Sequence, residues 1–245
     1  MASPFKREDN PPEPCISTET VTLRSPTGTE FVLHARPLAH LSSYFRTGLN
    51  SEFQEATTRV FDLKEHCDDK VLQAFTNWVY LRSSGVDYDV DEVPFLSRLC
   101  QATTVKAWLF GEYICAPAFQ NTMMKLMVNV HNEKFDRSLF KRVGESSLEN
   151  SPIEKYLVDR FCSLLFHYNE HCVDAVMVWS TPRLKDKVCK KLSEKIWHKS
   201  TRVGKKFNDF SVGKAEEYEV KEIEPDEVPK KRKRRWVPIA VDDSD

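Results

Sequence analysis

Residues 30–81 read EFVLHARPLAHLSSYFRTGLNSEFQEATTRVFDLKEHCDDKVLQAFTNWVYL, and the order of patterns within them decides the fold. Phe31 and Leu33 alternate with Val32 and His34, the period of a half-buried strand. Pro37 opens a segment in which Leu38, Leu41, Phe45 and Leu49 share one helical face, so the spacing predicts a single helix. Gly48 stands where that helix would need a left-handed residue to stop. A second short strand is predicted over Val60-Phe61-Asp62-Leu63. Asp68 and Asp69 then begin a helix that carries Val71, Leu72, Phe75, Trp78 and Val79 inward as one stripe.

Upstream, Val21-Thr22-Leu23 and Phe31-Val32-Leu33 flank Ser25-Pro26-Thr27-Gly28, which suits a type I turn and a hairpin. Residues 1–18 are polar and proline-rich and read as a disordered arm. Downstream, helices are predicted over 94–114 and 117–130. The second has Pro117 at its start and Phe119, Met123, Leu126, Met127 and Val130 on one side. Its clustered methionines suit either a core or an adaptable peptide groove, and core packing is the simpler alternative. Residues 131–150 are polar, a loop with a short helical turn around Leu139 and Phe140. Ser151-Pro152-Ile153-Glu154 has the form of a capping box, followed by the stripe Ile153, Tyr156, Leu157, Phe161, Leu164 and Leu165. A shorter helix is predicted over Val173 to Trp179. A last one starts at Thr181-Pro182, with Leu184, Val188, Leu192 and Ile196 in register.

From about Gly204 the apolar pattern stops. Glu216 to Glu227 is an acidic block, Lys230 to Arg235 an unbroken basic run, and residues 204–245 read as a disordered tail. The run Lys230, Lys231, Arg232, Lys233, Arg234 and Arg235 fits a nuclear import signal held extended in an acidic receptor groove. Direct phosphate contact is the weaker alternative, because the neighbouring acids compete for the same cations. A solvated charge run is the bland one. Across all 245 residues, 40% hydrophobic and 30% charged with a net charge of −1 describes a globular chain without a global bias toward nucleic acid or membrane. The first residues lack the apolar core of a secretory signal and no run suits a membrane span. The seven cysteines are therefore expected to be reduced thiols in an intracellular protein.

Catalytic patterns are sparse. His167-Tyr168-Asn169-Glu170-His171 fits H-x-x-E-H, in which two histidines four apart on a helix hold zinc and the glutamate serves as base. It closes a helix rather than lining a cleft, which leaves a zinc metallopeptidase as a remote alternative. Cys162, Cys172 and Cys189 form no C-x-x-C pair. No P-loop, G-x-S-x-G or G-x-G-x-x-G occurs, so no enzyme, cofactor or metal is expected.

Phe31-x-x-His34 ahead of a helix, Leu38 before Ser43-Tyr44-Phe45, Phe53-x-Glu55 before a strand, and Phe75-x-x-Trp78-Val79-Tyr80-Leu81 together resemble a BTB/POZ domain of the fungal type. Val105 to Glu112, Ala116 to Asn121, and Ser151-Pro152-Ile153 through Leu157-Val158-Asp159 are similar to that family's later helices. The resemblance runs from Val21 to about Trp179. It implies an α+β BTB/POZ fold, a small sheet with a helical cluster, over residues 19–130. A helical extension over 131–203, packed on it or following it, then precedes the tail at 204–245. It also implies a non-enzymatic protein–protein interaction role as scaffold or adaptor, with the basic run giving a nuclear address. His34 is structural in such domains. Dimeric members place a helix ahead of the hairpin, where this chain has its proline-rich arm, which argues against their swapped homodimer. In adaptors of the family a hydrophobic residue, any residue and an acid follow the first core helix and insert into a cullin. Phe53-Gln54-Glu55 stands at that position, with Phe53 folded back over the first helix as the alternative.

Overall fold

A computed structural model describes residues 18–63, 67–85, 89, 92–129, 138–168, 181–200 and 214–221. Strands β1 (Thr20–Arg24) and β2 (Glu30–His34) pair antiparallel, with Val21 opposite Leu33 and Leu23 opposite Phe31. Gly28 closes the turn between them at φ +85°, donating its amide to Ser25 O at 3.0 Å. A side chain is disfavoured at that φ. Strand β3 (Val60–Asp62) lies parallel to β1, giving the order β2-β1-β3. Val21, Leu23 and Leu33 are buried while Val32 and His34 face out, as the alternation requires.

The predicted helix from Pro37 to Leu49 is two helices, α1 (Ala35–Leu41) and α2 (Ser43–Leu49). Ser42 breaks it. Its backbone is extended at φ −142° and ψ 123°, and its buried hydroxyl donates to Ile114 O at 2.6 Å. The amides of Ser43 and Tyr44 point to Cys115 O and Ile114 O, both at 3.4 Å. Unpaired donors at the start of α2 thus meet unpaired acceptors at the end of a later helix, and each end satisfies the other. Gly48 does not stop α2; it lies inside it. A Cβ there would sit 2.6 Å from the Phe61 ring, so the glycine lets the helix lie flat on β3.

A short helix α3 (Gln54–Thr58) precedes β3, and α4 (Asp69–Ser83) follows it. Asp68 caps α4, accepting from Val71 N at 2.9 Å, and Val71, Leu72, Phe75, Trp78 and Val79 are all fully buried. The helix predicted over 94–114 is also divided, into α5 (Pro94–Ser97) and α6 (Gln101–Tyr113), with extended Cys100 as the cap of α6. At the end of α6, Cys115 takes φ 52°, its amide reaching Glu112 O at 3.3 Å and that of Ala116 reaching Gly111 O at 2.9 Å. That is a Schellman close with cysteine in the usual glycine position.

Helix α7 (Pro117–Asn129) returns along α6. Phe119, Met123, Met124, Leu126 and Met127 are buried, so the methionines are core and not a groove lining. Val130, predicted to share that stripe, lies outside the described residues. Between α4 and α7, Phe75 stacks on Trp78 and both meet Phe119 within 5.2 Å. The one polar atom of Trp78 is satisfied there, since Nε1 donates to Thr122 Oγ1 at 3.0 Å.

The remaining described helices are α8 (Ser138–Ser146), longer than the predicted single turn, α9 (Pro152–Tyr168) and α10 (Pro182–Ser200). Ile153, Tyr156, Leu157 and Phe161 of α9 and Leu184 and Val188 of α10 are buried as the stripes predict. The capping box at Ser151 does not form. Ser151 N is already bonded to Leu148 O at 3.1 Å, and Glu154 accepts instead from Asn150 N at 2.7 Å. The Glu154 carboxylate, 1% exposed, turns to α10, with Arg183 at 2.8 Å and Lys187 at 2.5 Å. One turn on, Asp159 pairs with Lys191. The predicted helix over Val173 to Trp179 and the side chains of Leu164, Leu165 and Ile196 lie outside the described residues.

The expectation of a featureless tail from Gly204 fails at residues 214–221. Ala215–Tyr218 form a 3-10 turn, Ala215 is buried, and Tyr218 is fully buried against α7 and α9. These residues carry enough apolar surface to order the segment despite its glutamates.

Candidate functional site

The start of α3 presents the most exposed large apolar side chain among the described residues. Phe53 caps that helix in extended conformation and is 63% exposed, so it does not fold back over the preceding helix. Its amide donates to Ser51 Oγ at 3.3 Å, and Ser51 Oγ donates to Gly48 O at 3.1 Å, which ties the Phe53 backbone to α2. Glu55 lies one residue into α3 and is half-buried. At the other end of α3, Arg59 adopts φ 57° and its carbonyl accepts from Thr22 N of β1 at 2.8 Å, which ties that end to the sheet. Phe53 and Glu55 therefore share a short element pinned at both ends. An aromatic ring held in solvent by a fixed backbone loses little conformational freedom on binding.

A second exposed patch lies on β2, at the edge of the sheet. Val32 is 56% exposed, and His34 Nδ1 lies 3.1 Å from the hydroxyl of Tyr80, itself 40% exposed, with the two rings edge to face. His34 thus joins β2 to α4.

Of the other sequence candidates, Lys230, Lys231, Arg232, Lys233, Arg234 and Arg235 lie outside the described residues. In H-x-x-E-H, His167 falls in the last turn of α9, while Glu170 and His171 lie outside them. Among the described residues no group of three His, Cys, Asp or Glu side chains is placed to hold a metal ion. No helix there is long and apolar enough to cross a membrane. The described thiols are unbridged. Burial, with the charges of Asp68 and Asp69, pushes Cys67 up to about 12, so it stays protonated. Exposed Cys100 is shifted down by the hydroxyl of Thr103 at 3.2 Å.

The sequence did not reveal the seat of residues 214–221. Its floor is built by Asn121 of α7 with Lys155, Tyr156 and Asp159 of α9. Burial pushes the Tyr156 hydroxyl up to about 12, against the opposing Arg160, and that hydroxyl donates to Met127 O at 2.9 Å. Tyr156 thereby ties α9 to α7 beneath the segment. The available signal was faint: Ala215, Tyr218 and Val220 are lone apolar residues at close spacing inside an acidic run.

The described residues thus form a three-stranded mixed sheet with ten helices, with Phe53, Val32, Tyr80 and Leu148 as its exposed large apolar side chains. No family model matches the chain, and no curated protein matches it.

Proposed function

We propose that this chain is a non-enzymatic interaction protein of BTB/POZ type, a scaffold or adaptor that brings protein partners together. The observation that carries it is Phe53, 63% exposed on a short helix whose ends are both hydrogen-bonded into the fold. An exposed aromatic costs solubility and suits an apolar pocket on a partner, while Glu55 fixes register against a basic one. The small sheet backed by helices supports the BTB/POZ reading, as do the residues quoted for it above.

A second, narrower reading is a substrate adaptor for a cullin-type ubiquitin ligase. The same exposure favours it, since hydrophobic-x-acid after the first core helices is where such adaptors grip. The test is titration of the purified chain with a cullin N-terminal helical domain, repeated with Phe53→Ala and Glu55→Ala. Micromolar binding weakened at least tenfold by either change supports the adaptor. No binding at those concentrations removes it and leaves the scaffold.

The basic run Lys230–Arg235 is proposed to address the protein to the nucleus through an import receptor. A fluorescent protein fused to residues 204–245 should accumulate in nuclei. Replacing Lys231, Arg232, Lys233 and Arg234 by alanine should abolish this, and equal partitioning of both fusions would contradict it. Direct nucleic-acid contact predicts instead a duplex affinity that falls steeply with salt.

A further inference from the structure

Residues 214–221 are held on the body in an unusual manner for a piece of a fold. Among the described residues, the segment's backbone–backbone hydrogen bonds are its own, Glu217 N to Lys214 O at 3.0 Å and Glu219 N to Glu216 O at 3.5 Å. Two side chains of the body hold its backbone. The Asn121 carboxamide takes both groups of Val220, Nδ2 donating to its carbonyl at 3.0 Å and Oδ1 accepting from its amide at 2.7 Å. Lys155 Nζ donates to Glu217 O at 3.2 Å. Peptide-recognition sites combine such bonds to the main chain, which hold a segment whatever its sequence, with side-chain pockets that select it.

Between those clamps is a socket. Tyr218 is fully buried, edge to face with Tyr156 at 5.5 Å, with the Lys155 ammonium 5.1 Å from its ring centroid. Its hydroxyl donates to Asp159 Oδ2 at 3.0 Å. A phenylalanine would fill the ring space and leave that carboxylate oxygen without its donor. Val220 packs partly buried beside the core, and Glu219 faces Lys125 at 4.0 Å. The socket thus reads a tyrosine by its ring and hydroxyl, an acid directly after it and an aliphatic residue two positions on, while the Glu217 carboxylate accepts from Lys214 N within the segment at 3.3 Å.

We propose that the α7–α9 groove is a peptide-recognition site, occupied in cis by residues 214–221. It can accept from a second protein a segment of the same chemistry, a tight turn ending in tyrosine and followed by an acid and an aliphatic residue. None of these residues belongs to the Phe53 patch, and the groove does not depend on the role of Phe53. Only residues 201–213 connect the segment to α10. So short a tether gives the resident segment an effective concentration on the order of millimolar, and a free peptide displaces it only when its own hold is weakened.

The experiment uses the full chain and, as probe, a fluorescein-labelled synthetic peptide of residues 212–222 followed by anisotropy. The Tyr218→Ala chain should bind the probe at least tenfold more tightly than the unaltered chain. Adding Asn121→Ala to it should remove at least tenfold of that affinity, and a probe with phenylalanine at position 218 should bind several-fold more weakly. In a second arm a protease site is inserted between residues 201 and 213 of the otherwise unaltered chain, which is cut and incubated with isotopically labelled peptide. Mass spectrometry of the folded complex should then show the resident segment exchanging. A Tyr218→Ala chain that stays folded and binds no better than the unaltered one overturns the proposal. So does a cut segment that leaves only when the protein unfolds, whatever the Tyr218→Ala chain does. A dimer that dissociates on Tyr218→Ala overturns the assignment in cis and gives the seat to a second copy.

Discussion

The sheet with α4, α6 and α7 and the pair α9–α10 are both well buried, but different forces close them. The first is joined by rings. Phe45, Phe61, Phe75, Trp78, Phe110 and Phe119 touch in a chain of edge, stacked and tilted contacts, and one of its buried indole donors, on Trp78, finds Thr122. The second is joined by carboxylates. Glu154 is closed over by Arg183 and Lys187, and Asp159 is shared by Lys191 and Tyr218. Arg183 Nη2 also reaches Gly144 O and Ser147 O at 3.3 Å and so closes the end of α8. Ring packing fails by leaving a cavity and is indifferent to charge. A buried carboxylate fails when one partner is lost, because the orphaned charge has no water to replace it.

The largest effect is expected in the ring-packed half. Phe75→Ala or Trp78→Ala should cost roughly 3–5 kcal/mol, read from the denaturant midpoint. An unchanged midpoint would break the contrast at its stronger side.

Next comes the charge-closed half. Arg183→Met combined with Lys187→Met should cost about 3 kcal/mol by stranding Glu154, and adding Glu154→Leu should restore more than half of it. A triple variant no better than the double would mean that packing, not charge, governs α9 against α10.

Gly48→Ala separates two opposing effects. Helix propensity alone would stabilise by about 0.5–1 kcal/mol. The Phe61 ring 2.6 Å from the new methyl predicts a net loss of roughly 1–3 kcal/mol. The sign of the change decides.

The smallest effect concerns Asp68, whose pair with Lys106 is an ion pair within the ring-packed half. Burial pushes its pKa up, but the hydrogen bond from Lys106 at 2.9 Å and the Val71 amide outweigh that and hold the carboxyl below its ordinary value of 3.8. A depressed folded value means a contribution present above pH 3.8 that is lost as pH falls through the folded value. The pair is over a third exposed, so screening keeps this under about 1 kcal/mol. Asp68→Asn should flatten the acid limb of stability below pH 3.8 and leave its high-salt value nearly unchanged.

Much of the ring-packed half could be read from spacing. The alternation at Phe31 and Leu33 and the stripe from Val71 to Val79 are local patterns, and local patterns survive without knowledge of the fold. Ser42 could not be read, because the bond that breaks the helix there comes from Ile114, seventy-two residues away. Gly48 misleads for the same reason: a glycine near a helix end suits a stop, and only the position of Phe61 shows it to be a close approach. Glu154 has the capping-box spacing, yet its local partner Ser151 N was already taken by Leu148. Phe53 was legible as a candidate by its place before Glu55, but whether it faced solvent was not. The seat of residues 214–221 was hidden by composition, since three apolar residues among glutamates resemble any polar tail until a groove receives them.

The proposed role of Phe53 is tested most directly by quantitative affinity purification of the unaltered chain and of Phe53→Ala from the native organism. Because the ring is 63% exposed, the substitution should change stability by less than about 0.5 kcal/mol. A scaffold that grips partners through Phe53 predicts at least one partner depleted tenfold or more in the variant at equal abundance and an equal melting temperature. An identical set of partners recovered in equal amounts from both chains would contradict it.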